Sequence, residues 1–395
     1  MKPKKRLLII LVIIFILAGG LIIWKNSQKT DSTDTLPTSN QTVKKPPKED
    51  PSLLRIIGTG DMLPHETVNQ QAKSAGGYDY RQFFDQVKKY YQSADVRFCN
   101  QESPSAPDIG VTAYPTFNAP TQFASDLSAT GCNVISLANN HLNDRGQSGI
   151  DGTRAVWDGL KPLGVAGANR SAAEKNKVSY FEVKGVKMAF VAYTEISNSR
   201  SLSSYGLNML NDNLVKSQLG EAKTQADIII VSVHWGTEYN PSVNSAQQRW
   251  AKTFADNGAD IVFGTGPHVL QPVQRLTQPN GEETVVFYSL GNILSSQLDV
   301  ESLIGGFGIV DIDPTTKKIR QTAFLPTYMH YEWTPQQKAR EDLLARKNLK
   351  IYTLDQSAEP LSRSQNNTTV DYQTKRITDL LNKFTPVKIL KSNEY

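Results

Sequence analysis

The stretch IIIVSVHWG, residues 228–236, consists of a short run rich in β-branched residues followed by His234, Trp235 and Gly236. Runs this short are typical of buried strands in an α/β sheet. Four other apolar runs also end in a polar motif: GTGD with Asp61, NQES with Asn100 and Glu102, LANNH with Asn140 and His141, and GTGPH with His268. Because helix-like segments lie between most of these runs, the repeated pattern predicts a layered α/β domain.

The polar motifs predict a shared metal site, since ligands collect at the carboxyl ends of strands in such sheets. Carboxylate oxygens and neutral imidazoles are suitable ligands for a divalent Mn, Fe or Zn ion. One or two ions could activate water, and His141 could protonate a leaving group. The predicted metal ligands are Asp61, Glu102, Asn140, His234 and His268.

Each of these residues taken alone has an ordinary structural explanation. Asp61 could be a helix cap or turn residue, His234 a buried core histidine, and His268 a turn residue beside proline. Their common position after buried runs favours a site over these separate explanations. His65, four residues after Asp61, and His330 are not assigned to the site.

The amino-terminal region predicts a membrane anchor. Residues 7–24 form an uncharged stretch of eighteen residues, just long enough to cross a bilayer as a helix. Four lysines and arginines within residues 1–6 place that basic tip in the cytoplasm and the body outside, as a single-pass protein of the cell membrane. A cleaved secretory signal is the alternative, although no A-x-A pattern follows. The polar residues 25–50 predict a disordered linker.

The net charge of +5 comes from the first fifty residues, so the rest of the chain is neutral overall. This balance argues against nucleic acid as a partner. The main domain is predicted over residues 51–332. The hydrophobic pattern thins after that point, and residues 333–395 are predicted to form a helical extension that can be removed.

The two cysteines, Cys99 and Cys132, are predicted to be buried thiols. Cys99 lies near the end of one predicted strand and Cys132 at the start of the next. In neighbouring parallel strands these ends lie further apart than the roughly 7 Å between Cα atoms that a disulfide allows.

Several longer strings occur in the order and spacing of the CapA family, which is named for a poly-γ-glutamate capsule synthesis protein. Residues 52–330 resemble this family through the strings GTGDML, NQESP, YPTFNAP, LANNHLNDRG, HWGTEY, GADIVFGTGPHVLQP and YSLGN. The resemblance implies a calcineurin-like metallophosphoesterase fold, a four-layer α/β/β/α sandwich with two mixed central sheets flanked by helices. Family members are typically anchored outside the cell.

The resemblance also implies roles for individual residues. Asp61 matches the first-strand aspartate, Glu102 stands in place of the bridging aspartate, and Asn140 and His141 match the Asn-His pair. His234 and His268 match the two later histidines, and His141 with Asp144 is implied to be catalytic. The implied substrate-binding residues are Asn100, Tyr114, Phe117, Glu238 and Asn292.

Two departures from the expected patterns bear on the metal site. The phosphoesterase pattern Asp-x-His reads Asp61-Met62-Leu63, a loss that CapA proteins commonly share. The family pattern G-x-H-P-H has Gly266 in place of its first histidine, which predicts an incomplete site that Gly266→His would restore. The alternative is that Gly266 is required for a backbone conformation with positive φ.

Three functions follow as hypotheses. The first is an envelope-anchored CapA-like protein that acts in synthesis, export or release of an anionic polymer of the poly-γ-glutamate type by metal-assisted hydrolysis. The second is a general extracytoplasmic metallophosphoesterase with a phosphoester substrate. The third is a non-catalytic scaffold subunit that binds the polymer or the membrane subunits of a polymer synthase.

Overall fold

The computed structural model describes residues 52–395. The predicted basic tip, membrane anchor and linker lie outside these residues. Within the described part of the chain, no helix has both the length and the apolar character needed to cross a bilayer.

Residues 52–395 form strands and helices in alternation over most of their length. The strands are β1 Leu54–Met62, β2 Lys73–Ser74, β3 Gly77–Tyr78, β4 Val96–Gln101, β5 Val134–Ser136, β6 Gly164–Ala166, β7 Ser179–Val183, β8 Val186–Thr194, β9 Ile228–His234, β10 Ile261–Thr265, β11 Leu270–Thr277, β12 Glu283–Leu290, β13 Asn292–Leu294, β14 Ile304–Ile312, β15 Ile319–Glu332, β16 Lys347–Thr353 and β17 Lys388–Ile389. The α-helices are α1 Glu66–Ala72, α2 Lys88–Gln92, α3 Thr121–Thr130, α4 Gly146–Leu160, α5 Ala172–Lys175, α6 Asp212–Gln225, α7 Ser245–Asp256, α8 Pro335–Ala339, α9 Ala358–Arg363 and α10 Val370–Leu381.

Two mixed sheets form the centre of the fold. The larger has the order β16-β15-β14-β1-β4-β5-β6, with β13 beside β1 and β17 beside β15. Its strands β1, β4, β5 and β6 are parallel, whereas the pairs β1–β14, β14–β15 and β15–β16 are antiparallel. The smaller sheet has the order β11-β12-β10-β9-β8-β7, with parallel central strands and an antiparallel strand at each edge.

The two sheets pack face to face through aromatic side chains. Phe98 of β4 stacks on Phe263 of β10 with ring centroids 5.0 Å apart. Gly58 of β1 permits this approach, since a Cβ there would lie only 2.5 Å from the Phe263 ring. The inner faces of both sheets therefore bury a shared hydrophobic core.

Helices cover the outer faces of the sheets. Leu219 of α6 and Phe254 of α7 share a buried cluster with Val231 of β9. On the larger sheet, Trp157 of α4 donates its indole N–H to Gln101 of β4 at 2.9 Å. Two mixed sheets with flanking helices confirm the predicted α/β class.

Local sequence signals explain where the principal helices begin. The Asn244 side chain accepts the backbone N–H of Gln247 at 2.9 Å, and the Gln247 side chain accepts the N–H of Asn244 at 3.0 Å. This reciprocal capping box satisfies two donors that an α-helix leaves free at its amino terminus. Asn211 caps α6 through a single bond of the same kind.

The prediction of a helical carboxyl-terminal extension is wrong in part. The extension does contain the helix α10, but β16 and β17 both pair with β15. Ile351 of β16 and Ile377 of α10 are buried in the main core. The charged residues around β16 suggest a surface helix, whereas alternate positions of this strand are buried.

The prediction of two free thiols is also wrong, because Cys99 and Cys132 form a disulfide. Their Cα atoms lie 5.8 Å apart, within the range that a disulfide requires. Cys132 lies in the turn that leaves α3 at Gly131, two residues before β5 begins. Because Cys132 precedes β5, the pairing of β4 with β5 does not set its distance from Cys99. The predicted large distance between the two cysteines assumed that it did.

Candidate metal centre

The ends of strands from both sheets meet at one edge of the fold. Asp61 in β1 is the register partner of Asn100 in β4, and Glu102 directly follows β4. His234 ends β9 beside Thr265, the last residue of the adjacent β10. The face-to-face packing of the sheets therefore brings carboxylates of one sheet close to imidazoles of the other.

Three predicted ligands form a compact buried group. Ligand atoms of Asp61, Glu102 and His234 all lie within 4.8 Å of one another. His268 lies beside them, with Nδ1 3.1 Å from Asp61 Oδ2 and Nε2 3.7 Å from Glu102 Oε1. Two carboxylates and two imidazoles are thus in contact or nearly so. We call these four residues the metal cluster.

The metal cluster is electrostatically unusual because its four side chains are almost wholly buried. Burial and the neighbouring Asp61 carboxylate raise the pKa of Glu102 well above its ordinary value. Burial would also raise the pKa of Asp61, but the hydrogen bond and charge of His268 hold it below its ordinary value. Burial lowers the pKa of His234 to about 4, so its imidazole is neutral near pH 7 and able to act as a ligand.

The residues present fit a divalent metal ion. Both side-chain oxygens of Glu102 and both polar side-chain atoms of Asn140 are buried and lack a hydrogen-bond partner within residues 52–395. Buried polar atoms without partners are rare in proteins, and a cation would supply the missing interaction. The nitrogen and oxygen donors suit Mn, Fe or Zn. Asn140 lies in the loop that follows β5, a neighbour of β4.

Two asparagines predicted to bind substrate are instead partners of the metal cluster. Asn100 donates its side-chain N–H to Asp61 Oδ1 at 2.8 Å and is buried. Asn292 Oδ1 lies 3.1 Å from His268 Nδ1, which leaves His268 Nε2 on the side of Glu102. Such outer partners fix the tautomer and orientation of ligating side chains. Both asparagines are buried, and neither is among the residues that line the cavity described below.

Gly266 adopts a backbone conformation with positive φ, as the alternative interpretation of the sequence proposed. Its φ is +105°, and a Cβ at this position would lie 2.8 Å from the carbonyl oxygen of Trp235. Its N–H donates to Asp61 Oδ2 at 3.1 Å. A histidine here would adopt a conformation that L-residues rarely adopt, so the expectation that Gly266→His simply restores a ligand is wrong.

The predicted pair of His141 and Asp144 is in contact. His141 Nδ1 lies 2.8 Å from Asp144 Oδ2, and the same oxygen accepts the N–H of Phe117 at 2.8 Å. The Phe117 ring meets the imidazole edge to face, with centroids 4.6 Å apart. These contacts fix the ring and favour the tautomer with its proton on Nδ1. Asn198 Nδ2 lies 3.3 Å from the other nitrogen, Nε2.

A cavity of about 660 Å³ opens beside these histidines. His141 and His268 line it, as do the predicted residues Tyr114, Phe117 and Glu238. Its rim carries exposed apolar side chains, among them Tyr114, which is 74% exposed. The other exposed apolar residues of the rim are Tyr239, Leu343 and Leu344.

Sequence analysis missed several residues of the cavity wall, namely His65, Asn198, Tyr239 and Arg346. His65 was not assigned to the site, yet its Nδ1 accepts the N–H of Ser296 at 3.3 Å at the cavity wall. Its proximity to Asp61 in the chain was the available signal. His330 was rightly set apart, since it is buried against Glu332 away from the cavity.

Comparison with known proteins places this site in a family. The model of the bacterial capsule synthesis protein PGA_cap family matches residues 55–297, more than half of the chain. The chain therefore belongs to this family. The predicted resemblance to CapA proteins is confirmed.

Two relatives illustrate the similarity. The PGA biosynthesis protein CapA of Bacillus subtilis is 36% identical over 168 residues, which cover 42% of this chain and 43% of the relative. The capsule biosynthesis protein CapA of Bacillus anthracis is 30% identical over 256 residues, which cover 62% of this chain and 60% of the relative. The matches thus span less than two thirds of either relative.

Among solved structures, a phosphatase from Mycoplasma pneumoniae is similar at 15% identity with a TM-score of 0.44. The alignment covers 69% of this chain and 93% of that one.

Proposed function

We propose that this protein is a CapA-like hydrolase of the cell envelope that acts in synthesis, export or release of an anionic polymer of the poly-γ-glutamate type. The observation that carries the proposal is the buried metal cluster, with the partnerless Glu102 carboxylate, beside an open cavity. The names of the two Bacillus relatives support the choice of polymer.

The chemistry combines a metal with a proton donor. A divalent ion held by the metal cluster would supply Lewis acidity at an amide or phosphoester bond. The chain itself supplies His141, whose Nδ1 donates to Asp144 and whose Nε2 can carry a proton to the leaving group. The Asp144 side chain is almost fully buried and orients the imidazole through this contact.

The proposed location is the outer side of the cell membrane, with residues 7–24 as a single-pass anchor. The Cys99–Cys132 disulfide supports this location, because disulfides persist in oxidising compartments outside the cytosol. Membrane subunits of a polymer synthase are the proposed protein partners, and nucleic acid is not among the partners proposed. Protease added to intact cells should remove the body, and full protection would exclude this orientation.

The hydrolase proposal is tested with the full chain, poly-γ-glutamate and p-nitrophenyl phosphate. Polymer length should fall with time, and His141→Ala should slow cleavage by about 100-fold or more, because it removes the general acid. His330→Ala is the matched control and should cleave at the parent rate once its folding has been verified by thermal melting. Cleavage of the ester alone would identify a general phosphoesterase, and polymer binding without any cleavage would identify a scaffold.

A further inference from the structure

Arg346 reaches the cavity from the carboxyl-terminal segment, outside the residues that the family model matches. It directly follows the short 3-10 helix Leu343–Ala345 and precedes β16. Only 3% of its surface is exposed, which is unusual for an arginine. The position of this buried cation at the cavity wall calls for a physical explanation.

The guanidinium is held by neutral groups. Its Nε donates to the carbonyl of Leu343 at 2.8 Å, its Nη2 donates to Thr67 Oγ1 at 2.9 Å, and its Nη1 donates to the carbonyl of Ser296. The group also lies over the Tyr331 ring, with 4.9 Å from Cζ to the ring centroid. These contacts fix the plane of the guanidinium and leave its positive charge without a negative partner.

Within residues 52–395, no carboxylate forms a salt bridge with Arg346. Buried charges in proteins are generally paired, because their desolvation is costly. An arginine that is oriented, buried and unpaired at a cavity wall is therefore suited to an anionic ligand. The contacts with Leu343, Thr67 and Ser296 leave one N–H of Nη1, which can donate a charge-assisted hydrogen bond to a carboxylate.

The charge of the cavity limits the class of anion. Arg346 is the only lysine or arginine among the residues of the described chain that line it, and Glu66 and Glu238 line it too. One cation and two acidic residues suit a ligand group with a single negative charge better than a dianionic phosphate. A carboxylate carries such a charge near pH 7.

We propose that Arg346 binds a free carboxylate of the substrate and selects polymers that carry one on each unit. This inference rests on the proposed function and adds the residue that recognises the carboxylates of the polymer. Arg346 holds the polymer substrate in the cavity while the metal cluster and His141 act on a neighbouring bond of that polymer. Its contribution belongs to substrate binding and specificity.

Calorimetric titration of the full chain with two probes tests the proposal. The probes are penta-γ-glutamate and the same peptide with its α-carboxylates converted to amides. Arg346→Met should weaken binding of the acid by about 10- to 100-fold, because a charge-assisted hydrogen bond is lost. It should change binding of the amide by less than about 2-fold, since the amide presents no charge to the guanidinium. Arg346→Lys should lie between, since it keeps the charge without the planar group that Leu343, Thr67 and Ser296 hold in place.

Arg376→Met is the matched control, because Arg376 is a partly buried arginine of α10 that does not line the cavity. It should bind the acid as the parent does. Equal loss of both probes in Arg346→Met, or equal binding of both probes by the parent, would overturn the carboxylate site. Polymer cleavage by the parent under either result would leave the proposed function standing, whereas cleavage of p-nitrophenyl phosphate alone would overturn both.

Discussion

The metal cluster and the carboxyl-terminal segment, residues 333–395, reach one cavity by different routes. The cluster comes from strand ends that the sequence marks with short polar motifs. The carboxyl-terminal segment carries no such motif, yet it adds two strands to the larger sheet and places Arg346 at the cavity wall. The comparison shows that a site can combine residues with strong local signals and residues positioned only by the tertiary fold.

Removal of residues 333–395 should have the largest effect on the stability of the protein. A chain truncated after Glu332 loses β16 and β17 and leaves the edge of β15 unpaired. It also exposes core residues that pack against Ile351 and Ile377. We expect the truncated chain to aggregate or to lose cooperative thermal unfolding, as measured by calorimetry.

A chain that begins at Ser52 is the control for truncation, because residues 52–395 lie within one compact unit. It should unfold in one cooperative transition. A truncated chain that ends at Glu332 and melts with equal cooperativity would show that the carboxyl-terminal segment is an appendage after all.

Substitution of a predicted metal ligand tests the metal cluster. His234→Ala removes one of the imidazoles of the metal cluster and should lower bound Mn, Fe or Zn to a small fraction of the parent value. His330→Ala, which changes a histidine outside the cluster, should retain its metal. Elemental analysis of both purified variants measures this. Equal metal content in the two variants would remove the evidence for the site.

The disulfide offers a smaller test of the strand framework that supports the metal cluster. It links Cys99 and Cys132 across 33 residues of sequence. Replacement of both by alanine should lower the free energy of unfolding by about 3–4 kcal/mol through the less constrained unfolded chain. Denaturant titration with and without reductant measures this. Identical curves for the parent chain in the two conditions would show that the bridge does not form.

Gly266→His should give the smallest of these effects. The positive φ alone should cost roughly 1–2 kcal/mol, and the contact with the Trp235 carbonyl adds to this. Gly220→His on α6 is the control, since a Cβ there meets open space and its φ is not positive. Melting curves and metal analysis should show lower stability without added metal. A gain in metal at unchanged stability would restore the ligand-loss interpretation.

The predictable part of the site consists of residues whose position follows from local pattern. Asp61, Glu102 and His234 each follow an apolar run, and the carboxyl ends of parallel strands converge at one edge. The α/β class follows from the same pattern. The number and order of the strands do not, because pairing between distant segments leaves no periodic signal.

The remainder depends on tertiary geometry. Arg346 reaches the cavity only because β16 pairs with β15. Cys132 meets Cys99 because the chain turns at Gly131 before β5, and the role of Gly266 depends on a φ that no motif reveals. Asn100 and Asn292 lie in site motifs, but only the structure shows that they contact ligands of the metal cluster.

The central position of β1 in the larger sheet has a consequence for folding during synthesis. Arg55 of β1 binds Asp311 of β14 at 2.8 Å, and 256 residues separate the two in sequence. The ribosome therefore completes β1 long before it makes the neighbour that covers it. Until β14 emerges, a strand that is almost wholly buried in the folded protein has one open edge, and such edges favour aggregation. The nascent chain must be shielded during this interval, and the larger sheet closes only near the end of synthesis.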